Sequence, residues 1–119
     1  MTPKSGKAKG RKLQNLVAED IKSILGEIPR VAIMGERGVD VETLRYAIEC
    51  TNRESLNLWA KIEQSERNAL QKKKIPILVI KRNRSNVYGV LDWKLLVSLL
   101  ALFDGQVFKD KGVEDADNI

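Results

Sequence analysis

The sequence predicts an α/β fold, in which helices cover both faces of one mixed central β-sheet. Three observations lead to this prediction. A chain of 119 residues with 43% hydrophobic residues has the size of one domain. Apolar residues alternate along it between helical spacing and short strand-like runs. The resulting order of elements is helix, strand, strand, strand, helix, strand, strand, helix.

The first half of the chain begins with a basic segment. Residues 1–10 are rich in Lys, Gly and Ser, which predicts a flexible basic arm. From Arg11 onward apolar residues recur at helical spacing up to Gly26, a common type of helix stop. Three short strands are predicted next, at residues 31–34, 39–41 and 46–51.

A second amphipathic helix follows the third strand. Its apolar side includes Trp59 and Ile62, and it ends at the lysines of residues 72–74, where positive charge suits the helix dipole. The opposite side is a polar stripe at i, i+4, i+7 and i+11 spacing, formed by Asn57, Lys61, Gln64 and Asn68. This stripe is compatible with an ordinary solvated helix face and with a wall of an active site.

The remaining predicted elements are a central strand, its hairpin partner and a last helix, at residues 75–80, 86–91 and 93–103. Trp59 and Trp93 are both expected in the core, because the few aromatic residues are too scattered for a base-stacking platform. We expect one domain over residues 11–107 and an acidic, disordered tail at 108–119.

Composition excludes several functions. The chain has no histidine, which removes imidazole acid–base chemistry and catalytic triads that depend on it. The single Cys50 excludes an intramolecular disulfide and a cysteine-based zinc site. A net charge of +5 is compatible with a polyanionic partner and with solubility alone. The longest apolar stretch is too short to span a bilayer, so we expect a cytoplasmic protein without a membrane partner.

Two acidic residues stand out on neighbouring predicted strands. Because side chains alternate along a strand, Asp40 points away from the valines beside it, and Glu49 points away from Ile48 and Cys50. If the two strands pair as a hairpin, both carboxylates lie on one sheet face within reach of one hard cation such as Mg²⁺. The spacing alone is equally compatible with two acids on a solvated sheet face.

Five segments together resemble the small PD-(D/E)XK nucleases, in particular phage and archaeal Holliday junction resolvases. In sequence order these segments are KGRKLQN (9–15), MGERGVDV (34–41), IECTN (48–52), LNLW (56–59) and IKRNRSNVYGVL (80–91). The resemblance implies a restriction-endonuclease-like αβββαβ core. It also implies that Asp40 and Glu49 bind Mg²⁺, with Mn²⁺ as a substitute, in a phage-encoded protein of DNA recombination that acts in the host cytoplasm.

Two positions depart from that family pattern. The signature lysine, two residues after the second acid, is replaced by Thr51, and the first-helix glutamate of archaeal resolvases is replaced by Gln14. A lysine on the second helix is known in the superfamily. Lys61 is therefore a candidate replacement for the signature lysine, with Gln64 as a neighbour that orients water.

Basic residues provide candidate phosphate contacts. The expected DNA-binding residues are Lys7, Lys9, Arg11, Lys12, Arg37 and Arg53. The basic residues at 81–84 fit either a DNA contact or a sheet edge protected from aggregation.

The leading functional hypothesis is a Mg²⁺-dependent endodeoxyribonuclease that cuts Holliday junctions or other branched or double-stranded DNA as a two-fold homodimer. The last helix is apolar enough for the dimer interface, and core burial explains its composition equally well. The alternative is a DNA-binding protein on the same fold whose catalysis is weak or lost. A third option is a basic scaffold without a nucleic-acid role.

Overall fold

The computed structural model describes the backbone of residues 3–33 and 38–111, and the side chains of residues 8–33 and 38–105. Its helices are α1 (Pro3–Asp20), continued by a π-helical turn (Ile21–Leu25), α2 (Leu58–Lys72) and α3 (Trp93–Lys111). Its strands are β1 (Arg30–Val31), β2 (Val41–Glu42), β3 (Tyr46–Asn52), β4 (Ile75–Lys81) and β5 (Tyr88–Val90). The elements follow the predicted order.

The five strands form one mixed sheet in the order β1-β2-β3-β4-β5. β3 and β4 are parallel and are joined through α2, whereas the other neighbouring pairs are antiparallel. The apolar run of β4 therefore lies between two other strands, as its composition predicts. An α/β fold with a mixed sheet flanked by helices is confirmed.

The main hydrophobic core lies between α1 and one face of the sheet. Its buried members come from α1, the π-helical turn and three strands: Leu13, Val17, Ile21, Val41, Ile48 and Val79. Gly26 ends this helical segment in the left-handed conformation, with φ of 70°, which confirms the predicted stop. The chain can then turn back into β1.

Helix α2 covers the opposite face of the sheet through small residues. Ala69 is buried against Ala47, which is next to Ile48 on β3 and therefore points the other way. Ser65, one turn earlier, is also buried. The expectation of a tryptophan core is wrong, because Trp59 is 75% exposed and Trp93 is 70% exposed. Helix α2 meets the sheet through Ser65 and Ala69, and Trp59 lies outside this contact.

Polar contacts hold α2 at both ends. The Asn57 side-chain oxygen accepts a hydrogen bond from the Ala60 backbone N–H at 3.1 Å, which caps the first turn. After the helix, Lys74 Nζ donates to Glu42 Oε1 at 2.8 Å and to the Thr43 carbonyl at 2.7 Å. The hydrogen bond from Lys74 lowers the pKa of Glu42. Lys74, just after α2, thus connects the end of this helix to β2 and the turn that follows it.

Several boundaries differ from the predictions. The arm expected to be flexible at residues 1–10 is helical from Pro3, where it forms the N-terminal part of α1. Helix α3 continues to Lys111, into the predicted tail at 108–119. Residues 112–119 and the end of the predicted first strand lie outside the described residues. In the described part of the chain, no helix combines the length and apolarity needed to cross a membrane.

The α1 core provides a test of the fold. Leu13 is only 2% exposed, so we expect Leu13→Ala to reduce the free energy of unfolding by about 2 to 5 kcal/mol. Chemical denaturation measures this change. Leu44→Ala, at an exposed position, is the matched control and should change stability by about 0.5 kcal/mol or less. Equal effects of the two substitutions would contradict the assigned core.

Candidate functional site

The β2–β3 hairpin brings the two predicted acids together. Val41 pairs with Ile48 and Glu42 pairs with Ala47, so the same register continued by one residue places Asp40 opposite Glu49. The turn is closed by the Thr43 backbone N–H, which donates to the Tyr46 carbonyl at 2.9 Å. Directly opposed residues of an antiparallel pair point to the same face, so the predicted juxtaposition of the two carboxylates is observed.

Asp40 is fixed by contacts with the strands on either side of it. Its Oδ2 atom accepts a hydrogen bond from the Cys50 backbone N–H at 2.8 Å. Its own carbonyl accepts from the Ala32 N–H at 2.8 Å, just after β1. The carboxylate therefore has little freedom to move relative to β3.

Glu49 is buried, and its environment favours the neutral form. Burial is the largest cause that raises its pKa, to about 7, and the negative charge of Asp40 and a hydrogen bond with it add to the effect. The Asn68 amide opposes this shift by donating to Glu49 Oε1 at 2.7 Å, and the positive charge of Lys61 opposes it as well. The Glu49 carboxyl therefore keeps its proton to a higher pH than an exposed glutamate does.

A polar cavity of about 390 Å³ opens between this pair and α2. The residues that line it are Gly38, Asp40, Glu49, Cys50, Thr51, Lys61, Gln64 and Asn68. Lys61 Nζ lies 3.5 Å from Gln64 Oε1 across one turn of α2. Three residues of the α2 polar stripe, Lys61, Gln64 and Asn68, thus form a wall of the acidic site, whereas Asn57 is exposed and caps the helix.

Alternation along β3 explains which of its residues reach the cavity. Ala47, Glu49 and Thr51 point toward α2, whereas Ile48 points toward α1. Thr51 is buried beside the acids. Its hydroxyl supplies no positive charge, so Lys61 is the cation of this cavity among the described residues.

Gln14 is not brought to the site. It is half-buried on α1, which packs against the other face of the sheet, and it is not among the residues that line the cavity. The Cys50 side chain also packs into the α1 core. Burial is the main cause that raises the pKa of its thiol, and the negative charges of Asp40 and Glu49 raise it further. A reactive thiolate is therefore disfavoured here.

Asn68 is the site residue that sequence reasoning misses. The sequence places it on the polar stripe but gives it no role, whereas in the structure its amide contacts Glu49. The spacing of four residues between Gln64 and Asn68 already indicates in the sequence that both side chains lie on the same side of α2. Gly38 also lines the cavity and has φ of 102°, a conformation that a residue with a side chain rarely adopts.

The predicted DNA-binding residues differ in their settings. Arg11, Lys12 and Arg53 are exposed. Lys9 Nζ instead donates to Asn83 Oδ1 at 2.6 Å, which joins α1 to the turn between β4 and β5. Arg37 and the side chain of Lys7 lie outside the described residues.

The cavity fits a hard cation that uses few protein ligands. Asp40 and Glu49 provide carboxylate oxygens, and the negative charge of Asp40 beside the buried Glu49 is the electrostatic condition that a divalent cation would relieve. Among the described residues, no group of three or more Asp, Glu, Cys or His side chains could hold a metal ion. Two carboxylates suit Mg²⁺, which commonly keeps several waters and binds substrate phosphate as well.

Comparisons with models of known families, with curated proteins and with solved structures find no match to this chain.

The raised pKa of Glu49 predicts how stability depends on pH. The folded protein binds a proton at Glu49 up to about pH 7, whereas the unfolded chain releases it near 4.5. The folded state therefore holds more protons in this window, and the free energy of unfolding should fall as pH rises from about 4.5 through 7. Urea denaturation at several pH values, without divalent cations, measures the slope.

Glu49→Gln should flatten this slope and make the protein more stable than wild type at the alkaline end, because the amide cannot ionise. Glu63→Gln, at an exposed position on α2, is the control and should retain the wild-type slope. Identical pH profiles for wild type and Glu49→Gln would show that Glu49 has no raised pKa.

Proposed function

We propose that this chain is a metal-dependent endonuclease of branched or double-stranded DNA, with Holliday junctions as the leading substrate. The observation that best supports this proposal is the buried pair Asp40 and Glu49 in a polar cavity that also contains Lys61 and Gln64. Two acids, a cation and an amide are the groups that metal-assisted phosphodiester hydrolysis uses. The element order and the sequence motifs favour the PD-(D/E)XK superfamily and its restriction-endonuclease-like core.

Asp40 and Glu49 are the residues that would hold Mg²⁺, or Mn²⁺ in its place. When bound, the cation supplies Lewis-acid activation and neutralises negative charge on the phosphate. Glu49 must lose its proton to become a ligand, so cation binding should strengthen as pH rises. The Asn68 amide holds the Glu49 carboxylate in place through the hydrogen bond to Oε1.

The α2 wall supplies the groups that face the reacting phosphate. Lys61 brings positive charge into the cavity and takes the role of the signature lysine, while Gln64 can donate and accept hydrogen bonds to orient water. Thr51 can position water through its hydroxyl but adds no charge. Gln14 has no role at this cavity.

DNA backbone contacts would come from exposed basic residues around the site. Arg53 follows Thr51 by two residues, and Arg11 and Lys12 are exposed on α1. Lys7, Lys9 and Arg37 complete the proposed set. Such contacts give affinity that is independent of sequence and falls with salt, which suits recognition of DNA structure.

The proposal includes a two-fold homodimer, because each subunit would cut one strand of a junction whose arms are related by near two-fold symmetry. The resemblance to phage resolvases further suggests a phage-encoded protein that acts in the host cytoplasm during DNA recombination.

A DNA-binding protein without catalysis is the second candidate. Thr51 at the lysine position and the location of Gln14 outside the cavity favour it. Both candidates predict salt-dependent binding to branched DNA. Only the nuclease predicts strand cleavage in Mg²⁺ or Mn²⁺.

The carboxylate pair provides the first test. Asp40→Asn and Glu49→Gln should each reduce the cleavage rate of a labelled four-way junction in Mg²⁺ by about 100-fold or more, because each removes an anionic metal ligand. Junction binding without divalent metal should persist, and Glu63→Gln should cut like wild type. Wild-type protein that binds junctions tightly but cuts in neither Mg²⁺ nor Mn²⁺ would be the binding protein. Protein without salt-dependent DNA binding would be the basic scaffold.

The position of the catalytic lysine provides the second test. Lys61→Ala should lower the cleavage rate by about 100-fold, whereas Lys22→Ala, in the π-helical turn that follows α1, should have no effect. Thr51→Lys should raise activity if the site is otherwise complete, because the adjacent cavity of about 390 Å³ has room for the longer side chain. A fully active Lys61→Ala protein would exclude Lys61 as the replacement for the signature lysine.

A further inference from the structure

Helix α3 leaves large apolar side chains exposed over more than half of its circumference. The exposed members are Trp93, Val97, Leu99, Leu100, Leu102 and Phe103. Because successive residues of a helix are about 100° apart, these side chains spread over roughly 220° around the helix axis, and the remaining side carries Lys94, Ser98 and Ala101. In the described part of the chain, α3 is absent from the pairs of elements that pack closely together. An apolar stripe this wide normally packs against another part of a protein.

An apolar groove lies beside the beginning of this helix. It has a volume of about 470 Å³ and runs between α2, β4 and the start of α3. Its large apolar lining residues are Leu58, Trp59, Ile62, Leu78, Leu91 and Trp93. The groove explains why Trp59 and Trp93 are exposed, because both border an apolar surface that no described element covers.

We propose that α3 of one copy of this chain occupies the apolar groove between α2, β4 and α3 of a second copy, reciprocally, so that two chains form a two-fold dimer. The inference rests on the dimer in the proposed function and supplies its interface. It does not depend on nuclease chemistry.

The groove and α3 supply both halves of an interface on the same chain. An isologous contact then buries the helix and the groove of both copies at once. The same helix does not fill its own groove, since it begins in the groove wall at Trp93 and does not pack back onto its own sheet. Each copy of the chain brings one α3 and one groove, so every exposed helix has a matching groove on another copy.

The size of α3 agrees with a stable dimer. A helix of 19 residues is about 28 Å long and about 10 Å across, so its lateral surface is on the order of 900 Å². A partner in a standard protein interface contributes about 800 Å². About half of the lateral surface of α3 can face a groove, and in a reciprocal contact each copy contributes this apolar side of its helix together with its own groove.

The charge distribution disfavours a lipid surface as the partner. Helices that lie on membranes carry Lys and Arg along a polar face. Residues 95–105 of α3 contain no Lys or Arg. The apolar surface of α3 is thus better matched to the apolar groove than to anionic lipid.

Sedimentation of the full-length chain at micromolar concentrations tests the interface from both sides. Wild type should have twice the 13.4 kDa chain mass. Leu102→Glu in the helix and Trp59→Glu in the groove should each raise the dimer dissociation constant by about 30-fold or more, the effect of a strong interface residue. Leu102 is 72% exposed and Trp59 75% exposed, so both variants should keep the wild-type circular dichroism spectrum.

Ile28→Glu adds the same charge at a position that is 84% exposed and outside α3 and the groove, and it should remain a dimer. Glu49→Gln should also remain a dimer, which separates failure of the interface from failure of the nuclease. A monomeric wild type would overturn the proposal, and flotation of that monomer with anionic phospholipid vesicles would assign α3 to a lipid surface. A dimer that is unaffected by Trp59→Glu would overturn it as well.

Discussion

The register of the β2–β3 hairpin is the constraint on which the site depends. Asp40 and Glu49 meet because Val41 pairs with Ile48, and a slip of one residue would turn one carboxylate to the other face of the sheet. The ion pair between Lys74 and Glu42 ties this short hairpin to the end of α2. Hairpin register and helix position are therefore fixed together, so the acids and the α2 wall keep their relative placement.

Strand β3 divides stability and chemistry between its two faces. The face that includes Ile48 packs with α1 and forms the main core, whereas the face that includes Glu49 meets the polar stripe of α2. The second face is costly for folding, because it buries a carboxylate beside another one. The Asn68 amide and Lys61 reduce this cost without removing it. A buried acid pair of this kind is typical of functional sites.

Most of the fold and half of the site could be predicted from local periodicity. The two-residue period of a strand places Asp40 and Glu49 on one face once the hairpin is assumed, and the helical period groups Lys61 with Gln64. The role of Trp59 could not be predicted, because which side of α2 meets the sheet depends on the small residues Ser65 and Ala69. Gln14 was predicted at the site but lies on the other side of the sheet for a related reason. The face of the sheet that α1 covers is set by contacts between residues that are distant in sequence.

The sequence by itself determined the order of helices and strands, the stop at Gly26 and the grouping of polar residues along β3 and α2, because these follow from backbone geometry over a few residues. Only the tertiary structure decided that the α2 stripe faces the acids, that Glu49 resists ionisation and that α3 is absent from the closely packed pairs of elements in the described chain. Burial and charge proximity depend on residues far apart in the chain, and local periodicity contains no information about them.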